Sequence, residues 1–173
     1  LEQILENTEE KRDLETLVAF ANYNLGVEHL EHDQFEEAII AFHRTLKFTT
    51  EPIPALLNLS EAYRKTGRDS LALGTLHKAV QLDSTSHEAW YALALFQGQK
   101  NDLVGKQQSL SRAIVLDPTS SAYQVELFNV AANLYYAGNP YRALDIYLLI
   151  RNIIPELPQT HFNLGKLYMD ANE

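Results

Sequence analysis

Three groups of residues in this chain have types and spacings that chemistry could use. His29 and His32 stand three apart with Asp33 beside them, so one helix face could offer two imidazoles to a metal ion. A zinc site needs three or four ligands, and the group reads instead as a solvated helix end. Glu36-Glu37 and Glu9-Glu10 could serve as acid–base pairs. Each pair is expected in the first turn of a helix, where negative charge complements the helix dipole. The serines have no Gly-x-Ser-x-Gly elbow and no evident histidine partner. The chain also lacks a Gly-x-Gly-x-x-Gly segment and a phosphate-binding loop. With no cysteine there is no disulfide, no thiolate zinc ligand and no thiol nucleophile. The expectation is a chain without catalytic residues, metal or cofactor.

A different row of residues recurs. Asn24, Asn58, Asn129 and Asn163 each stand directly before a large–small pair: Leu25-Gly26, Leu59-Ser60, Val130-Ala131 and Leu164-Gly165. Only Ala92, before Leu93-Ala94, breaks the series. A side-chain amide carries two donors and an acceptor, so a row of them can hold the backbone of an extended peptide whatever its side chains. Beside the row run Tyr23, Leu57, Tyr91, Phe128 and Phe162, with Tyr135 and Tyr136 further along the fourth copy. Phe20, Val27, Leu30, Leu95 and Met169 are expected to share that face. Apolar and tyrosine side chains suit the anchors of a peptide or amphipathic helix.

Positioning such a row requires a repeated element. Gly26, Ser60, Ala94, Ala131 and Gly165 follow one another at steps of 34, 34, 37 and 34 residues. A fixed period of this size marks stacked helical hairpins. Each copy reads as a helix A and a helix B. The A helices are expected near 19–32, 53–66, 87–99, 121–137 and 158–171, and the B helices near 35–49, 69–82, 103–116 and 140–153. The A–B turns carry Asp33, Gly67-Arg68-Asp69, Asn101-Asp102 and Gly138-Asn139-Pro140. Glycine there supplies a left-handed cap, and Asp or Asn is expected to cap the next helix. Pro140 fits a first turn, and Pro52, Pro118 and Pro155 are expected to end B helices. Small residues on A face Ala38, Ala72 and Ala143 on B. Phe42, Leu76, Leu110 and Tyr147 fill the layer between, at the spacings of an amphipathic stripe.

The segments NYNLGVEHLEHDQFEEAIIAF, HEAWYALALFQ and THFNLGKLYMDAN resemble tetratricopeptide repeats, over about residues 19–171. The resemblance implies an all-α solenoid of antiparallel helix pairs, with repeats near 19–52, 53–86, 87–120 and 121–157 and a partial repeat at 158–173. It also implies a non-catalytic protein-interaction module that takes a peptide segment or helix of a partner in the concave groove lined by the A helices. The row Asn24, Asn58, Asn129 and Asn163 is then the backbone clamp, and Tyr23, Tyr91, Phe128, Phe162, Tyr135 and Tyr136 are the side-chain contacts. Chaperone-type members grip a C-terminal carboxylate with Lys, Asn and Arg on the first three A helices. The corresponding places here hold Tyr23, Val27, Asn58, Glu88 and Ala92, so that clamp is absent. Glu61, Arg64, Lys65 and Lys166 give the groove a lining of mixed sign.

Three departures from the pattern stand out. Lys106 occupies the usual small place on a B helix, the usual aromatic near the start of helix A appears only as Trp90, and three extra residues near 119–122 predict a longer fourth A helix. Residues 1–18 read as a helical extension, capped at Asn7 or Thr8 and running into the first repeat. It is either a cap or fragment of a preceding repeat, or a dimerising arm. The fifth A helix has no B partner, so Phe162, Leu164, Leu167 and Tyr168 are expected to lack part of their cover. Either the native chain continues past Glu173 or residues 158–173 are a place for self-association, and a structural segment of a larger assembly is the alternative to peptide binding.

Bulk properties narrow the partners. The chain has 173 residues, 46% of them hydrophobic, and a net charge of −9. Acidity without a basic stripe argues against nucleic acid. No apolar run reaches the roughly 20 residues that span a bilayer, so no membrane insertion is expected. Without an evident export signal the default setting is cytoplasmic.

Overall fold

The computed structural model describes residues 2–170, with side chains from residue 8 onward. The described residues form nine α-helices and no strand: α1 (Glu2–Glu31), α2 (Phe35–Phe48), α3 (Pro52–Lys65), α4 (Asp69–Leu82), α5 (His87–Gln99), α6 (Leu103–Leu116), α7 (Ser121–Tyr136), α8 (Pro140–Ile153) and α9 (Pro158–Asp170). They fall into two compact units, residues 1–84 (unit 1) and 85–173 (unit 2). Odd-numbered helices are the A helices and even-numbered ones the B helices. No described helix is long and apolar enough to cross a membrane.

The four A–B turns share one geometry. Asp33, Gly67, Asn101 and Gly138 take left-handed φ values of 57°, 72°, 59° and 79°. The next residue's N–H then reaches back five residues, as in Gln34 N to His29 O (2.8 Å) and Arg68 N to Tyr63 O (2.8 Å). These bonds satisfy carbonyls that the helix end would otherwise leave bare. Here the structure corrects the capping expected for Asp and Asn. Of the four turns, only that at Asp102 caps its helix with a side chain, accepting from Gly105 N at 2.9 Å. Asp33 and Asn101 are themselves the left-handed residues, a conformation that Asp and Asn tolerate better than most. Pro52 opens α3 rather than closing α2, because a first-turn proline gives up no helical hydrogen bond.

Unit 1 packs α1 to α4 through the expected small residues. Ala38, Ala72 and Ala79 are wholly buried. A methyl group built on Gly26 would lie 2.6 Å from the ring of Phe42, itself fully buried, so only glycine lets α1 and α2 approach this closely. α1 is one continuous helix from Glu2, so Glu9 and Glu10 lie in its interior rather than in a first turn, and Asn7 and Thr8 stand inside it rather than at its start. Leu14, Leu17, Phe20 and Leu25 are exposed along it. Arg68 clasps Glu36 with two bonds of 2.6 and 3.0 Å, tying the start of α2 to the α3–α4 turn.

Unit 2 is built around Leu110, Ala113, Ile114, Leu127, Ala131, Ala143, Ile146 and Ile150. Two of the three departures from the repeat, Lys106 and the longer fourth A helix, have physical answers. Lys106 lays its stem against Gly98, where a Cβ would come within 2.8 Å of it, and reaches Glu126 on α7 at 2.7 Å. α7 is 16 residues long, against 13 or 14 for α3, α5 and α9. The expected loss of cover on α9 holds for Phe162 and Tyr168, which are exposed, but not for Leu164 and Leu167. Those two are buried because they belong to the core that α7 and α8 share with α9.

Candidate functional site

In unit 2 the A helices α7 and α9 present the predicted row. A hollow of about 260 Å³ is walled by Gln124, Val125, Phe128 and Asn129 of α7, with Leu157 and Gln159 beside the start of α9. Val125 is 57% exposed, while Phe128 is half-buried with its ring edge-on to Tyr147 at 5.1 Å. The hollow thus has an apolar wall and an amide rim. Gln124 donates to the Pro118 carbonyl at 2.8 Å. The Asn129 amide is exposed and makes no hydrogen bond with any described residue, so its two donors and its acceptor are open.

Further along the same two helices lies a second hollow of about 220 Å³, lined by Ala132, Tyr135, Tyr136, Tyr147, Asn163, Lys166 and Leu167. Leu167 and Tyr147 are buried, and Lys166 and Tyr136 are exposed. The Lys166 ammonium stands 4.9 Å from the centre of the Tyr135 ring and 5.5 Å from that of Tyr136. The Tyr135 hydroxyl donates to Asp170, and that carboxylate holds the phenol above its ordinary pKa. Burial does the same to Tyr147. The Asn163 amide, like that of Asn129, has no hydrogen-bond partner among the described residues.

Unit 1 carries the equivalent of the first hollow. It measures about 370 Å³ and is lined in part by Phe20, Tyr23, Phe48 and Pro54. Phe20 and Val125 each stand six residues before their small residue, Gly26 or Ala131; Pro54 and Gln159 stand six before Ser60 and Gly165. Its polar groups are used differently. The Asn58 amide donates to the Tyr23 hydroxyl at 3.2 Å, and the Tyr23 ring packs against Phe42 at 6.1 Å. Asn24 is exposed and free of hydrogen bonds among the described residues. Glu61 and Arg64 pair with each other, which lowers the Glu61 pKa and raises that of Arg64. Lys65 stands over the Phe35 ring at 5.9 Å.

The structure therefore gathers Phe128 and Asn129 at one hollow and Tyr135, Tyr136 and Asn163 at another. Tyr91 lies elsewhere, half-buried with its ring 4.6 Å from that of Tyr123. Burial pushes both of these phenols above the ordinary value, and Tyr123 also meets the His87 Nδ1 at 2.8 Å. Phe162 is 74% exposed and lines neither hollow. His29 and His32 are engaged locally, with Gln34 Oε1 at 2.5 Å and the Glu28 carbonyl at 2.8 Å. No group of three His, Asp or Glu residues suited to a metal occurs among the described residues. Sequence reasoning overlooked Gln124, Val125, Leu157 and Gln159. The repeat could have flagged Val125 and Gln159, which share one place in their copies with Phe20 and Pro54.

No family model matches the chain. Superkiller protein 3 of Schizosaccharomyces pombe is 29% identical over 126 residues, which cover 70% of this chain but only 9% of that protein. Among solved structures, MamA superposes with a TM-score of 0.61 at 24% identity, covering 90% of this chain and 83% of that one. The first tetratricopeptide domain of Spaghetti (RPAP3), seen bound to the HSP90 peptide SRMEEVD, gives 0.62 at 17% identity, covering 69% and 95%. The chain has the tetratricopeptide-repeat fold, an all-α architecture of the solenoid class built from antiparallel helix pairs.

Proposed function

We propose that this chain is a non-catalytic protein-interaction module that binds a peptide segment or helix of a partner on its A-helix face, through the hollow beside Phe128. The observation that carries this reading is the free amide of Asn129 at the rim of an apolar hollow. An apolar side chain of the ligand seats against Val125, Phe128 and Leu157, while the amide holds the adjoining peptide group. A polar group left open beside apolar surface is inexpensive in water and gains a partner when a peptide arrives. A structural neighbour seen with a peptide supports the same use of the fold.

Panning a random peptide library against the chain tests this, with Asn129→Ala/Asn163→Ala as the counter-screen. A consensus that the double variant loses is the expected result. Equal enrichment on both proteins contradicts the role of the amides.

A second reading rests on α9. Phe162 and Met169 are exposed there, and a methyl group built on Gly165 meets nothing within 4 Å. That face has room for another helix, from a further segment of the parent protein, a second copy or another protein. Light scattering over a concentration series decides whether this chain self-associates; a constant monomer mass argues against it.

A further inference from the structure

The hollow at Lys166 has a polarity that the hollow at Phe128 lacks. The chain is strongly acidic, with a net charge of −9. Lys166 has no carboxylate partner within 4 Å among the described residues and stands in a hollow rather than on an open face. The nearest acid on its own helix, Asp170, accepts from the Tyr135 hydroxyl instead. Glu126 of α7 is held by Lys106. The rings of Tyr135 and Tyr136 fix the ammonium by cation–π attraction without neutralising it. Beside it stand the open Asn163 amide and the exposed side chain of Tyr136. An ammonium, an amide N–H pair and a phenol are the donors that a carboxylate takes up, with the charged donor supplying the strongest bond.

We infer that this hollow receives the side-chain carboxylate of a partner peptide, and that it reads an acid about three residues from the apolar side chain seated at Phe128. This rests on the peptide-binding reading above. The spacing follows from helix geometry. Phe128 to Tyr135 is two turns of α7, roughly 10 Å of rise. An extended peptide covers that in about three residues. The occupant is a side chain rather than a chain end, because free amides on both helices (Asn129 on α7 and Asn163 on α9) suit a backbone that continues along the face. The residues differ from those of the chaperone-type clamp, whose places in this chain are Tyr23, Val27, Asn58, Glu88 and Ala92.

The test uses a random peptide library displayed with its C-terminal end fused to the carrier, so that no ligand has a free carboxyl end. It is panned on the whole chain and on Lys166→Ala and Lys166→Glu. Lys166 is exposed, and thermal melts confirm that all three proteins fold alike. The expected wild-type consensus holds an apolar residue with Asp or Glu about three positions away. Lys166→Ala should keep the apolar residue and lose the acid, and Lys166→Glu should recruit Lys or Arg in its place. For one synthetic consensus peptide, replacing Glu by Gln should weaken wild-type binding about fivefold and Lys166→Ala binding not at all. A consensus without the acid, or an acid retained by Lys166→Ala, overturns this inference and leaves the Phe128 hollow standing. No consensus on the wild type overturns both.

Discussion

The A-helix faces of the two units carry the same row of residues and leave it in different states. In unit 1, the amide of Asn58 on α3 donates to the hydroxyl of Tyr23 on α1. In unit 2 the equivalent pair is Phe128 on α7 and Asn163 on α9, and phenylalanine has no hydroxyl to offer. Asn163 is therefore left open, beside a lysine that is also unpaired. One fold thus yields an amide that is satisfied on its own face and an amide that is not. The difference lies in a single hydroxyl rather than in the repeat pattern.

The largest effect is expected at the glycine of the first A helix. Gly26→Ala forces a methyl group against the buried Phe42 ring and should destabilise the chain by about 2–3 kcal/mol in urea titration. A change under about 0.5 kcal/mol would contradict the close approach of α1 and α2.

Thr160 comes next. It stands on α9 where α3 has Ala55; both are buried, and the Thr160 hydroxyl has no hydrogen-bond partner among the described residues. Thr160→Val keeps the shape and removes the unsatisfied oxygen, so stability should rise by about 1–2 kcal/mol. A loss of stability would show that the hydroxyl is satisfied in solution.

A reciprocal exchange sharpens the comparison further. Phe128→Tyr should offer Asn163 the partner that Asn58 already has, weakening peptide binding about threefold to tenfold at little cost in stability. Tyr23→Phe should free Asn58 and cost about 1 kcal/mol of stability, without weakening a peptide held at unit 2. Calorimetric titration of both variants with one consensus peptide checks the pair.

The smallest effect is electrostatic and belongs to unit 1. The bond from Arg64 lowers the Glu61 carboxyl below its ordinary pKa of 4.5. A lowered acid contributes stability above that value and loses it as the pH falls through the folded-state pKa. The pair is partly exposed, so Glu61→Gln should cost at most about 0.5 kcal/mol at pH 7. The gap between variant and wild type should narrow as the pH falls through the folded-state pKa. A gap that stays constant across an acid titration would mean that Glu61 acts through packing.

Much of the fold was legible because it rests on local rules. The repeat period, the small residues on facing helices and the turn glycines are fixed by sterics within one hairpin, and they placed every A and B helix to within a few residues apart from the start of α1. The turns at Asp33 and Asn101 were legible in place but not in role, because a left-handed Asp or Asn and a capping one share a sequence signature. Lys106 was legible only as a departure; that Gly98 makes room for it and Glu126 neutralises it depends on three helices at once. The site followed the same division. The positions of Asn129 and Asn163 were readable from the period. Which amides remain open was not, since that turns on a hydroxyl 35 residues away from Asn58 in unit 1 and its absence in unit 2.

The most direct test of the central claim is to map one panned peptide onto the chain by amide and side-chain chemical shifts. The account predicts that the largest changes fall on Val125, Phe128, the Asn129 and Asn163 side-chain amides and Leu157, with Asn58 unmoved. Changes confined to the outward faces of the B helices, with the Asn129 and Asn163 amides silent, would contradict it.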